Sequence, residues 1–295
     1  MVIAQDVRYA KPATLEEALE LLTESPGGTL LAGGTDLVAW MRDDVAHPEL
    51  LVDLKGISGL DAIHWDGAAL HFGPLVTFSD LLASPEIAEH APVFREMSDL
   101  VASVGIRNRA TIVGNICSAV PSCDAGPVLL VYDTTVRVLG PNGERIIPID
   151  EWFLGPRRHA LDAGEIVIGL AIRPPEDRHA AAFLKLSRYE GEDLAQANLA
   201  VLTGADHTYR IAFGAVAPTP RRLVAVEAVL NGRALEDDTV AEAVAGLAAE
   251  IAPISDMRAG KTYREHMCRV MLGRGLRAAV ARLDGVGAPY PSRFI

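Results

Sequence analysis

Several groups that build specialised sites are scarce in this chain. Only three cysteines occur in 295 residues, Cys117, Cys123 and Cys268. An odd count at wide spacing makes neither a disulfide framework nor a C-x-x-C pair. An iron–sulfur cluster held by one chain needs about four thiolates, so this chain is expected to hold none. The alternative for Cys117 and Cys123 is that they are small residues in tight packing. Basic residues are also few. Lys and Arg number 27 against 39 Asp and Glu, a net charge of −12, which argues against a nucleic-acid binder because phosphates need basic surface. That balance suits an enzyme, or a subunit with a basic partner. No run of about 18 apolar residues is present, so no membrane span is expected. Met1–Ala10 has no apolar core of signal-peptide length, and a cytoplasmic location is the default expectation.

The common catalytic signatures are missing too. There is no H-E-x-x-H, no G-x-S-x-G, no G-x-x-x-x-G-K-[ST], and no G-x-G-x-x-G after a strand. His64, His71, His90 and His159 stand alone and read as surface or packing residues. The acid pairs Glu16-Glu17, Asp43-Asp44 and Asp237-Asp238 read as helix starts and solvated charge. The residues favour cofactor binding over acid–base chemistry carried by the protein.

Two short stretches support that preference. Leu31-Ala32-Gly33-Gly34-Thr35-Asp36 and Thr111-Ile112-Val113-Gly114-Asn115, the latter followed by Asp124, each put glycine and hydroxyl or amide donors beside an apolar run. Glycine lets backbone N–H groups approach a ligand closely, and Thr and Asn add donors. That chemistry suits a diphosphate. The alternative for a single Gly-Gly pair is a plain turn, and for Asp124 a helix cap.

The chain is long for one core, so two or three domains are expected. Thr14-Leu15-Glu16-Glu17 is a capping box, and Leu15, Ala18, Leu19 and Leu22 share a helical face. Strands at 29–32 and 50–54 flank a short helix at 37–42 capped by Thr35 or Asp36, giving residues 1–57 β-α-β character. In 58–176, a strand is expected at 68–72 and helices at 77–82, 92–103 and 124–132. Asn142-Gly143 marks a hairpin between 135–139 and 145–149, and a strand at 166–172 follows. Pro174-Pro175 marks the next boundary. Residues 177–295 then show strands at 181–185, 197–203 and 211–216 and helices at 221–230, 238–250 and 262–283, a small α+β domain.

Leu31-Ala32-Gly33-Gly34-Thr35-Asp36-Leu37 resembles the first flavin loop of the FAD-binding medium subunits of molybdenum hydroxylases, the family of xanthine and carbon monoxide dehydrogenases. Ile106–Cys117 resembles their second loop, and Pro121-Ser122-Cys123-Asp124 the motif after it. Gly164-Glu165-Ile166-Val167, Lys185-Leu186-Ser187-Arg188 and Ala212–Pro220 match later segments, so the resemblance covers nearly the whole chain. It implies an α+β fold: a two-part FAD-binding domain of the vanillyl-alcohol-oxidase/PCMH type, then a small α+β C-terminal domain. The loop Ala32 to Asp36 would hold the diphosphate through backbone N–H groups, with Leu31 also at the cofactor. Thr111, Gly114 and Asn115 would bind its other side and the adenosine or ribityl region. Asp124 would accept from cofactor hydroxyls. Ile166 and Val167 would line the flavin ring or the adenine, and Lys185 would lie near the flavin carbonyl edge unless it is a solvated strand residue.

The resemblance further implies a large molybdopterin subunit and a small subunit with two-iron (2Fe-2S) clusters, arranged as a dimer of heterotrimers, with electrons reaching this FAD from the clusters. Ala-Gly-Gly-Thr-Asp is closer to the xanthine than to the carbon monoxide type. Val113 stands where the family usually has glycine, and a valine does not readily take positive φ. A free-standing flavin oxidase and a non-flavin binding module are the alternatives.

Overall fold

The computed structural model describes residues 6–189 and 191–295. Residues 1–5, half of the segment read above for a leader, lie outside them. Three sheets of three to five strands organise the described chain, beside a two-stranded hairpin, Phe153–Gly155 with Arg158–His159.

The first sheet is parallel, in the order Arg8–Ala10, Leu50–Asp53, Gly28–Leu31. Two crossovers build it, one through the helix Leu15–Glu24 and one through Leu37–Arg42. Thr14 caps the longer helix by accepting from the Glu17 N–H. Ala18 and Leu22 from that helix pack with Leu50, Val52 and Leu54 in a small core.

The second sheet has five strands, in the order Ile63–Trp65, Leu70–Phe72, Ile166–Ile172, Thr135–Gly140, Gly143–Pro148, all antiparallel. The hairpin at Asn142-Gly143 forms as expected, with Gly143 at φ +101°. A capping box starts the helix Phe78–Ala83. The helix expected over 92–103 is shorter, Val93–Asp99. It stops where Arg107 Nη1 collects the carbonyls of Asp99, Val101 and Ala102, which turns the chain away from helical geometry.

The third sheet runs His179–Leu186, Ala197–Gly204, Tyr209–Gly214, Arg221–Arg222, again antiparallel. Its two central strands are buried along almost their whole length. Alternation explains this: side chains at i and i+2 face opposite ways from those at i+1. Ala181 and Phe183 join the large core that also takes in Phe72, Val136 and Leu170 of the second sheet, while Ala182 and Leu184 join another core with the long helix Lys261–Leu283. Gly275 of that helix lies against Leu199, Val201 and Leu184. The helix expected from 221 begins instead at Val224, because Arg221–Arg222 adds a fourth strand and Arg222 pairs with Glu227 at 2.7 Å. No helix among the described residues is long and apolar enough to cross a membrane.

Candidate functional site

The strand Gly28–Leu31 runs straight into the first glycine loop, and the second loop opens the helix Ile112–Ser118. The two loops meet. A Cβ on Gly33 would lie 1.9 Å from the Arg109 carbonyl oxygen, so only glycine permits this approach. Gly34 has φ +74°, the left-handed region that favours glycine. Lys55 Nζ donates to the Ala32 carbonyl at 2.8 Å and pairs with Asp53 at 2.7 Å. Burial pushes the Asp53 carboxyl up, but hydrogen bonds from Lys55 and Tyr9 outweigh it and hold the group below its ordinary value.

Beside the two loops lies a cavity of about 870 Å³, at the upper end of the range for small-molecule sites. Leu31, Ala32, Gly33, Gly34, Thr35 and Asp36 all line it. Thr111, Gly114, Asn115, Asp124, Val167 and Lys185 line it as well. Ile166 does not: it is fully buried in the small core with Leu50 and Val52, facing the opposite way from Val167. Val113 lines the cavity from inside the helix 112–118 and has no positive φ. The family's usual glycine is therefore not needed there for backbone reasons.

Several predicted contact residues also hold the frame. Thr111 caps its helix, accepting from the Gly114 N–H at 2.9 Å. Asn115 Oδ1 accepts from the Ala125 N–H at 3.1 Å and so positions the next helix. Ser118 donates to the Asp36 carboxylate, tying the end of the second loop's helix to the first loop. Neither Asp36 nor Asp124 caps a helix with its side chain. Asp124 instead pairs with Lys185 at 2.7 Å and accepts from Asn198 Nδ2 at 2.9 Å. Lys185 also donates to the Leu100 carbonyl and is 8% exposed, so it is not a solvated strand residue. Each Asp124 oxygen keeps a further lone pair for a ligand hydroxyl.

Sequence reasoning missed Asn198, a fully buried amide whose Oδ1 has no partner among the described residues. The only signal was one amide in the otherwise apolar run 197–202. Burial pushes the thiols of Cys117 and Cys123 up to about 12, so neither is a nucleophile at neutral pH. His159 also lines the cavity, stacked on Trp152. Its Nδ1 accepts from the Leu161 N–H, and burial holds its pKa below the usual value. A depressed folded-state pKa contributes stability that is present above the unfolded value, about 6.5, and is lost as the pH falls through the folded one. Urea unfolding between about pH 5 and 8 should therefore show a smaller loss of stability on acidification in His159→Gln than in the parent chain. An identical pH profile would contradict this.

The geometry defines a cradle of two closely packed glycine loops that line one cavity. The profile described as the FAD binding domain in molybdopterin dehydrogenase matches residues 5–175, and that of the CO dehydrogenase flavoprotein C-terminal domain matches 181–279. A putative xanthine dehydrogenase FAD-binding subunit, XdhB, of Escherichia coli is 30% identical over 94% of this chain and 97% of its own length. The carbon monoxide dehydrogenase medium chain of Afipia carboxidovorans is 34% identical over 93% and 96%. The solved carbon monoxide dehydrogenase of Hydrogenophaga pseudoflava superposes with a TM-score of 0.91 at 32% identity, covering 94% of this chain and 98% of that one. The chain belongs to the FAD-binding subunits of the molybdenum hydroxylase family, and the oxidoreductase class follows. A non-flavin module is thereby set aside. The two subfamilies match at similar identity, so the lean toward the xanthine type gains nothing from them.

Proposed function

We propose that this chain carries FAD as the electron-transfer subunit of a molybdenum hydroxylase complex, taking electrons from iron–sulfur clusters on a small partner and passing them to an external acceptor. Molybdopterin would sit on a large partner that chooses and hydroxylates the substrate, in a cytoplasmic dimer of heterotrimers. The observation that carries this reading is the cavity where Gly33 packs on the Arg109 carbonyl, with both loops lining it. FAD supplies reversible one- and two-electron transfer when bound; the protein positions the ring and tunes its electronics.

In this reading residues 1–57 and 58–176 are the two FAD-binding parts, and 177–295 the C-terminal domain. The loop 32–36 binds the diphosphate through N–H groups, with Leu31 at its base. Thr111, Gly114 and Asn115 hold the opposite side, Asp124 accepts from a cofactor hydroxyl, and Val167 lines a ring. Lys185, on the cavity wall, holds Asp124 and the Leu100 carbonyl and lies near the flavin carbonyl edge. Purification of the full chain from its native host tests the subunit reading. Copurifying chains that bring molybdenum and iron–sulfur absorbance are expected. A lone flavoprotein that oxidises an organic substrate unaided would overturn it.

A further inference from the structure

A diphosphate brings two negative charges into a cavity whose wall already carries Asp36, Asp124, Asp162, Glu165 and Asp193. Two cations line it, Lys185 and Arg157. Lys185 is committed to Asp124. Glu165 is held by Arg145 in a bidentate pair, with Nε and Nη2 at 2.7 and 2.6 Å. Arg157 has no carboxylate within ion-pair distance among the described residues.

Its position is nonetheless fixed at two points. The guanidinium lies over the Trp40 ring, 4.8 Å from its centroid. Trp40 is one turn into the helix that leaves the first glycine loop, its N–H bonded to the Asp36 carbonyl at 2.9 Å. The Arg157 N–H donates at 2.8 Å to the carbonyl of Ala119, the residue that ends the second loop's helix. Arg157 therefore bridges the middle of the first loop's helix and the C-terminal end of the second's, from the turn of a small hairpin, Phe153–Gly155 with Arg158–His159. That turn is conformationally costly: Arg157 has φ +57°, and Ala119 has φ +45°. Glycine or asparagine is the usual occupant of such positions, and strain of this kind collects at ligand clamps.

We propose that Arg157 is the counter-charge for the FAD diphosphate, held on Trp40 so that its fork closes the cradle formed by the two glycine loops. The inference rests on the FAD reading and adds a residue to it. An arginine fork matches phosphate oxygens bidentately, which a lone ammonium cannot do. The cation also selects for the dinucleotide, since riboflavin offers no phosphate.

The test is titration of the deflavinated full chain with FAD and, separately, with riboflavin, at low and high salt. In R157Q the FAD Kd is expected to rise about tenfold or more, its salt dependence to shrink, and the riboflavin Kd to stay unchanged. R157K should recover part of the loss, and Trp40→Leu should show a smaller loss that again spares riboflavin. Arg157 is exposed, so melting of the R157Q and R157K apo chains should match the parent. An R157Q chain with unchanged FAD affinity and salt slope would overturn the proposal. So would an equal loss for riboflavin, which would put Arg157 against the ring. A parent chain that takes up no FAD would overturn the FAD reading itself.

Discussion

Gly33→Val is expected to abolish FAD retention while the chain stays folded. The added Cβ would fall 1.9 Å from the Arg109 carbonyl oxygen and 2.7 Å from its carbon. Both are backbone atoms, so no side chain can swing aside and the two loops must separate. Donors aimed at one diphosphate then diverge, and an affinity loss on the order of 100-fold, about 2.7 kcal/mol, is expected. Gly34→Val should act similarly for a different reason: a β-branched residue is a poor occupant of φ +74°. Both glycines are half-buried and lie outside the helices and strands, so far-UV circular dichroism should be retained. Full flavin occupancy in both variants would contradict the assignment of this loop.

Lys185→Met should cost about 3–5 kcal/mol in urea unfolding of the apo chain, the usual penalty for stranding one half of a buried ion pair. The side chains of Lys185 and Asp124 are 4% and 10% exposed, so solvent screens the pair little. The remaining donor, Asn198, cannot neutralise the carboxylate. Lys185→Met with Asp124→Asn removes both charges and should regain most of the loss, because replacing a whole buried pair is often close to neutral. Equal losses in the single and double variants would contradict the stranded charge as the cause.

These two sites differ in how far sequence could reveal them. The glycine loop was legible because its chemistry is local: a strand end, two glycines and a hydroxyl within six residues. The hairpin at Asn142-Gly143 and the long helix 261–283 were legible for the same reason, since turn chemistry and helical spacing act over short range. The Asp124–Lys185–Asn198 cluster was only partly legible. Asp124 and Lys185 stood out as polar residues, but their pairing joins positions 61 apart, and Asn198 closes the group from the next strand. The early stop of the helix 93–99 has the same origin, since Arg107 captures its carbonyls from beyond the turn. Ile166 departs from the reading because its side chain turns into the core with Leu50 and Val52, while Val167 lines the cavity. Arg157 gave no signal at all. Its meaning depends on Trp40, which reaches it only through the fold.

The central claim, that FAD lies between the two glycine loops, is tested most directly by hydrogen–deuterium exchange of the full chain with and without FAD. Amides at 32–36 and 111–115 should gain protection when FAD binds, with smaller gains at Val167 and around Arg157. Protection confined to the sheet 179–222 or to the helix 261–283, with the glycine loops unchanged, would contradict the account.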